Sequence, residues 1–591
     1  MPRKVKVAVV GSGLAGLTAA YSLTANSKQP STRESNTEGQ GGEDVEVDFE
    51  VHIFEKSSTL GMDSSSISIP VPGEEQEWRV DVPMRSFQGG YYPQLIALYE
   101  HLGVKFRTSD YSYSFSLLSP ASHAETRRMT TSMIYNGRSG LAGVSMPARM
   151  RAATRSSIER AWAFVVFAFM AIQLLVCYLR LRLLSTPMFR FRDTPTMDYT
   201  TWAKRTLPTG FLAQMTGFDI AWIEFTQDVL IPLFSAVCTC PLEDVQQHPV
   251  EEFLDYIWLT LGTHHYVAKN GVRDVVSRLS SHISDSNIHL CSAISSLRPD
   301  ASDPSLVSIH CASATGEKVY SGFHHIILAT QANRAIPILE SYVTSLTSNP
   351  SDDHDRRYHQ QLIQRQINCL RKFKYISSLV INHTDGSLVP DDPRDRRDLN
   401  LISPDPLSFP SQFQSYSEKH GEQERDHHTS HSPLTTTTTN TPTRSLPPIY
   451  TMATHSLPPP VGFPSHLPPV YQTTNPIVEP KEKRILSVSS LERAVVTMES
   501  KSVLHELHVE DAPWFWQCAG QGRSRLGPIQ GAGRLGRKGR RSDSSGPGIW
   551  LCGSYAYSGI PLLEGCVVSA RNVVEQGIRE SEGVTRRGIS W

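Results

Sequence analysis

The sequence carries almost no net charge: 57 basic residues against 58 acidic ones leave it at −1. No global field therefore steers it toward nucleic acid or a strongly charged partner. Its nine cysteines include no CxxC pair, and the closest two, Cys238 and Cys240, form a single CxC. That spacing reads as two buried thiols rather than half a metal site. No HExxH, Walker A or zinc-type cluster occurs, and His264 and His265 form no recognisable ligand set. Ser554 lacks a His–Asp partner, so neither metal nor nucleophilic catalysis finds support and no metal is expected. No secretory leader is expected either, because the strand-like KVKVAVV begins at residue 4. These absences describe a reduced, intracellular chain with no nucleic-acid partner. Apolar residues are also modest, 39% with a mean hydropathy of −0.28. That fits folded domains diluted by polar insertions.

Three stretches have the composition of such insertions. Asn26 to Asp48 is rich in Ser, Glu, Gly and Gln; Ser403 to Pro448 holds Pro, Ser, His and the run Thr435 to Thr439; Gly520 to Gly548 alternates Gly with Arg and Ser. None offers enough apolar surface to offset ordering entropy, and all three are expected to be disordered. The basic residues of the third read as a solvated loop.

What is present begins at the N-terminus. The stretch KVKVAVVGSGLAGLTAAYSL is a strand, a GxGxxG turn at Gly11, Gly13 and Gly16, and a small-residue helix. A dinucleotide-binding βαβ unit starts this way, and it needs a carboxylate at the end of its second strand, about 20 residues further on. Glu55, closing the strand FEVHIFEK, lies 44 residues past Gly11; removing the 23 residues of Asn26 to Asp48 leaves 21. Loop closure costs grow only slowly with length, so the unit tolerates the insertion. Gly11 then permits the tight turn, Gly13 the approach of a pyrophosphate, and Gly16 close packing of the helix on the sheet. The loop and helix start at Ser12 and Ala15 would offer amides to phosphate. Glu55, with Lys56 beside it, would accept hydrogen bonds from ribose hydroxyls.

At the other end, GIWLCGSYAYSGIPLLEGCVVSARNVVEQG reads as a buried strand, a loop and a helix from about Leu562. Here the chain resembles the flavin-containing amine oxidoreductase superfamily, whose C-terminal strand, loop and helix fold back on the N-terminal βαβ unit. It is closest to a branch of predicted NAD/FAD-binding proteins of GDI-like fold. VDVPMRSFQGGYYPQLIALYEHLGV, IPLFSAVCTCPLEDVQQHPVEEFLDYI, HHYVAKNGVRDVVSRL, HHIILATQANRA and VINHTDGSLVPDDPRDRRDLN carry the likeness through the middle. The resemblance implies FAD, with Gly553 and Ser554 near the ribityl chain, Pro561, Leu562 and Leu563 near the ring, and Ala293 and Ile294 near the adenine. A helix N-terminus facing the ring would stabilise negative charge on reduced flavin. Two departures stand out. Leu60-Gly61-Met62 replaces the family's Gly–Gly pair, and Ser554 stands where many amine oxidases carry an acid.

The resemblance leaves the catalytic residues unknown. Lys269 is the nearest candidate for a lysine beside the flavin, against the plainer reading of a solvent-facing loop residue. Tyr555 and Tyr557 would line a substrate channel or serve as packing aromatics.

One run is strongly apolar: Ala161 to Leu179, 19 residues without a charge, between Arg160 and Arg180. It is long enough to cross a bilayer. A single crossing would separate the two ends of the nucleotide-binding domain, and no second run of that length is evident. The segment 161–184 is then either buried in a substrate cap or a monotopic anchor whose arginines face anionic headgroups.

The expected fold is α/β: a doubly wound FAD-binding domain with an inserted mixed-sheet and helical substrate domain. Its parts are a βαβ unit over 1–110, a cap over 111–262, a second nucleotide-binding part over 263–335, a substrate domain over 336–519, a Gly/Arg-rich loop over 520–548 and a closing unit over 549–591. The expected activity is FAD-dependent oxidation of a hydrophobic or amine-type small molecule by hydride transfer to flavin N5. Two alternatives stand beside it: a redox-inactive carrier such as the Rab GDP-dissociation inhibitors, and a lipid desaturase or isomerase.

Overall fold

The computed structural model describes residues 2–591 except 26–46, 72, 74–76, 121–126, 138–141, 153–155, 314–315, 348–353, 407–443, 461, 465–466, 512–515, 519–521, 535–545 and 585–590. Its nucleotide-binding half consists of β1 (Arg3–Val10), α1 (Leu14–Thr24), β2 (Val47–Phe54), α2 (Pro93–His101), β3 (Ile288–His289), β4 (His325–Leu328), β5 (Gly548–Leu551) and α3 (Leu563–Asn572). The five strands form one parallel sheet in the order β3-β2-β1-β4-β5. Val10 pairs with Phe54 and with Leu328, and Leu328 pairs with Leu551. The strands thus end in line, and the loops after them leave at one edge, where ligands bind in doubly wound sheets.

Burial explains the strand sequences. Val5, Val7, Ala8 and Val9 are each fully buried, as expected of a parallel sheet covered on both faces. Helix α1 has no polar face: all eleven residues are buried, between the sheet and α3. Its Ala19 and Ala20 allow that close packing.

The second half is an eight-stranded mixed sheet with a helical cap. Leu399–Pro404 runs parallel to Tyr113–Ser119, and the other neighbours are antiparallel. Its strands come from both 113–145 and 374–495, so the stretches expected as a cap and as a substrate domain share one sheet. Cys238 and Cys240 are both buried thiols.

Three boundaries move. Strand β2 starts at Val47, pairing Arg3 with Val47 and Lys4 with Asp48, so the first insertion ends two residues earlier. The second insertion is narrower at both ends, because a strand runs through Pro404 and Leu446 N–H donates to the Pro476 carbonyl at 2.7 Å. Within 520–548, residues 522–534 are structured: Ser524–Leu526 pairs with His508–Glu510, and the Gln530 amide exchanges hydrogen bonds with Leu551 at 2.8 and 2.9 Å. Buried Ile529 supplies the apolar anchor that the Gly/Arg composition hides. The remainder of the three insertions lies outside the described residues.

The apolar run is one helix, Ser157–Ser185, opened by a capping box of Ser156 and Glu159. It is not buried in a cap: only 6% of its most apolar window is enclosed. A second helical stretch, Phe218–Cys238, is also long and apolar enough to cross a membrane, and 44% of its most apolar window is enclosed. That second stretch went unrecognised in the sequence because Asp219, Glu224 and Asp228 break its apolar character. Its Phe234 is fully buried and stacks on Phe253 at 3.9 Å, which fixes this stretch in the core.

Candidate nucleotide cradle and substrate cavity

The loop after β1 is built around hydrogen bonds that its side chains and amides must satisfy. Gly11 takes a φ of +94° and donates to the Phe54 carbonyl at 2.9 Å, a conformation glycine adopts without penalty. Ser12 donates its amide at 3.0 Å and its hydroxyl at 2.6 Å to Glu55 Oε2. The same hydroxyl accepts from Gly61 N–H at 2.7 Å. Glu55 Oε1 accepts from the Ser57 amide at 3.0 Å. The carboxylate expected to hold ribose is therefore buried and already bonded to the loop. An ionised carboxylate has about four acceptor positions and three are used, which leaves one for a hydroxyl.

The glycines differ in what they leave open. A Cβ on Gly16 would stand 2.0 Å from the Gly11 carbonyl oxygen, whereas one on Gly13 would meet nothing within 4 Å. Gly16 is thus a packing glycine, and Gly13 faces free space at the N-terminus of α1, where no side chain caps the helix. Open backbone beside unpaired helix amides is what a pyrophosphate needs. Met62 takes the left-handed conformation, φ +68°, at the place of the family's second glycine. Gly61 leaves no room for a side chain, since its Cβ would lie 2.8 Å from the Ser12 carbonyl oxygen.

The closing loop meets this cradle. Gly553 has a φ of +154°, and its N–H donates to Ser569 Oγ of α3 at 3.0 Å. Glu564 then ties α3 to α2, accepting from the amides of Gln94 at 2.9 Å and Leu95 at 3.0 Å; burial raises its carboxyl to about 7. Tyr91 Oη accepts from the Ile560 amide at 2.9 Å. On the far side of the cradle, the amides of Cys291 and Ser292 donate to the carbonyls of Ser57 and Glu55 at 3.0 and 2.8 Å. These bonds bring Ala293 and Ile294 next to the end of β2.

A cavity of about 890 Å³ continues from the cradle into the second half of the molecule. Gly13, Leu14, Ser554, Pro561, Leu562 and Leu563 line its inner end, and Phe167, Ala171, Leu174 and Tyr178 of the helix Ser157–Ser185 line its outer wall. Its volume lies in the range of ligand pockets, roughly 300–1,000 Å³. His265 and His455 also line it, and burial lowers both imidazoles to about 4.

Gly11, Ser12, Gly13, Ala15, Gly16 and Glu55 therefore meet Gly553, Ser554 and Pro561 to Leu563 at one edge of the sheet. Lys56 is exposed beside Glu55. The three catalytic candidates lie elsewhere. Tyr555 is buried against Phe373, ring centroids 5.3 Å apart; Tyr557 packs edge-on against His508 at 5.0 Å; Lys269 is exposed. None of the three lines the cavity. Sequence reasoning missed Arg85 and Arg493, which do line it; each stands in an ordinary-looking strand or turn with no motif to single it out.

The family described as "NAD(P)-binding Rossmann-like domain" matches residues 9–102, the span of the N-terminal unit. No curated protein matches the chain. Among solved structures, similarity extends to cyclohexylamine oxidase from Brevibacterium oxydans IH-35A, with a TM-score of 0.43 and 9% identity over 98% of this chain and 99% of that one. It extends also to putrescine oxidase bound to putrescine (0.39, 12%, 98% and 99%) and to Rab GDI from Plasmodium falciparum (0.42, 9%, 100% of both). Scores this low carry neither a fold nor an activity to this chain, whose topology rests on its own strand register.

Proposed function

We propose that the chain is an FAD-dependent oxidoreductase that oxidises a lipophilic small molecule at a membrane surface. The single observation behind this reading is the continuity of the open backbone at Gly13 with an apolar cavity that ends on the helix Ser157–Ser185. The residues present fit the cofactor. Gly13 and the α1 amides would hold its pyrophosphate, the free acceptor position of Glu55 its ribose, Gly553 and Ser554 its ribityl chain, and Pro561 to Leu563 its ring. Bound there, the flavin would supply a two-electron acceptor at N5. The chain's own part is binding, orientation and exclusion of water, which the apolar lining provides.

The membrane contact rests on the helix Ser157–Ser185 being uncharged and, apart from Gln173 and Tyr178, apolar on all sides from Ala161 to Leu179, a pattern otherwise found in buried or membrane-embedded helices. One face lines the cavity. The other presents Trp162, Val165, Phe169, Ile172, Leu179 and Leu183, each at least half exposed. The apolar surface continues onto Phe211, Leu212 and Met215, held beside the helix where Gln173 Nε2 donates to the Thr216 carbonyl at 3.1 Å. Residues 149–217 hold ten basic side chains and three acidic ones, so this part of a nearly neutral chain favours anionic headgroups. The helix is fixed to the protein by buried Cys177, Leu181 and Ser185, so it lies along the bilayer surface.

Anaerobic mixing of the purified protein with lipophilic donors tests the activity. Bleaching of a visible flavin band by one of them is expected. A bound flavin that no donor reduces would leave a structural cofactor. The carrier reading, which the self-bonded Glu55 favours, predicts a colourless protein that still fills the cavity with lipid.

A further inference from the structure

The cavity has one sign of charge. Arg85 and Arg493 line it, and no Asp or Glu does among the described residues. Neither guanidinium has a hydrogen-bond or ion-pair partner among those residues, and Arg85 Nε is fully buried without one. Asp81 exerts a minor influence on Arg85; its oxygens accept from the Val272 amide at 3.2 and 3.1 Å. Burial lowers Arg85 to about 10, and the neighbouring charge of Arg493 adds to that effect. Burial lowers Arg493 as well. Both stay charged at neutral pH. Both line the same cavity as Cys566 in the first turn of α3.

Both arginines are half-buried along the cavity wall, and an unpaired guanidinium shielded from water is costly, a cost arginine does not escape by losing its proton. Two of them beside an apolar cavity make a site for an anion, because the guanidinium fork matches carboxylate or phosphate oxygens. The wall beyond them is Phe167, Leu174, Leu230 and Phe234, which suits a hydrocarbon body. We propose that the cavity takes an acidic amphiphile, its anionic head paired with Arg85 and Arg493 and its apolar body against the cap. This deepens the oxidoreductase reading, on which the word substrate rests, and it disfavours a cationic amine, which would meet two like charges. His265 and His455, neutral above pH 5, add no positive charge of their own.

The test is displacement of a fluorescent fatty acid from the full-length protein by hexadecanoate, hexadecyl phosphate, hexadecanol and hexadecylamine, each below its micelle concentration. Hexadecanoate or the phosphate is expected to compete about tenfold or more better than the amine, and which of the two anions leads identifies the head group. Arg85→Gln/Arg493→Gln is expected to weaken the anion about tenfold or more while hexadecanol stays within about twofold. Arg85→Lys/Arg493→Lys, which keeps the charge, controls for folding and should retain the preference for the anion. Equal competition by acid and amine would overturn the proposal. So would glutamine variants that lose flavin yet bind the acid unchanged, because the guanidinium groups would then serve the cofactor. Flavin content is read separately from the visible spectrum of the same samples. A colourless protein that prefers the acid contradicts the oxidoreductase reading alone, and a yellow protein with no preference contradicts the acidic-amphiphile site alone.

Discussion

The nucleotide cradle and the cavity wall solve the same problem, holding a ligand, with different materials. The cradle is assembled from two short stretches, residues 9–16 and 54–61, and each of its contacts uses a backbone amide, answered by a carbonyl or by the short side chains of Ser12 and Glu55. Gly11 bonds to Phe54, Ser12 to Glu55, and Gly61 to Ser12. The wall takes Arg85, Phe167, Phe234, Leu399, Arg493 and Leu563 from six distant segments, and only their side chains meet. A cradle made of backbone amides and two short polar side chains demands particular residues at particular spacings. A wall made of side chains accepts almost any apolar residue of suitable size.

The sharpest way to break this contrast is within the cradle itself. Gly16→Val should fail to fold or lose about 3 kcal/mol, because its Cβ would meet the Gly11 oxygen at 2.0 Å. Gly13→Leu should fold with an unchanged melting temperature, since its Cβ meets nothing, and yet purify without flavin. Flavin measured by absorbance and melting measured by circular dichroism check both. A Gly13→Leu protein with full flavin would remove the cofactor from this site.

The two faces of the helix Ser157–Ser185 give the next largest difference. Leu181→Ala, on the cavity side and 3% exposed, should cost about 2–4 kcal/mol. The triple change Trp162→Glu, Phe169→Glu and Ile172→Glu, on the outer face, should cost little stability, about 0.5 kcal/mol per site. It should also abolish co-sedimentation with vesicles containing anionic lipid. Retained vesicle binding would mean that the outer face is covered by something other than lipid.

The cradle was legible because its rules are local. The glycine spacing, the strand before it and the carboxylate after the insertion could all be read from residues 4 to 55. Even there the sequence did not show that Glu55 spends three of its acceptor positions on Ser12 and Ser57. The cavity was not legible, because no periodicity connects Arg85 to Arg493 across some four hundred residues. The apolar helix fell between the two: its length and flanking arginines were plain, whereas its division into a cavity face and a bare face depends on packing against the Phe218–Cys238 stretch. Tyr555 and Tyr557 were drawn to the site by sequence neighbourhood, and the turn after Gly553 sends Tyr555 into the core and sets the half-buried Tyr557 against His508.

Acid should affect the whole molecule more evenly. Burial lowers eight histidines, His248, His265, His289, His325, His359, His383, His455 and His508, to about 4. Between pH 6.5 and 4 the unfolded chain binds protons that the folded one refuses, so stability is full above 6.5 and falls as the pH drops through that window. His325, fully enclosed beside Glu582 at 2.8 Å, contributes on the order of 3 kcal/mol. Glu564 and Asp255, raised by burial to about 7 and about 6, act in the opposite sense, as do Asp81 and Asp228, which burial also raises, and eight imidazoles outweigh four carboxyls. Melting temperature measured against pH should decline steadily below 6.5, and a flat profile would mean that these imidazoles are wet.

The smallest effect is expected at Tyr555. Its hydroxyl has no partner among the described residues, so Tyr555→Phe should leave stability within about 0.5 kcal/mol and turnover unchanged. A large loss of turnover would return this residue to the list of catalytic candidates.

The central claim, that the cradle holds a flavin against an apolar cavity, is tested most directly by the near-ultraviolet and visible absorption spectrum of the purified protein, taken before and after acid precipitation. A flavin band released into the supernatant in equimolar amount is the result expected. A colourless protein that stays colourless after incubation with FAD would contradict it.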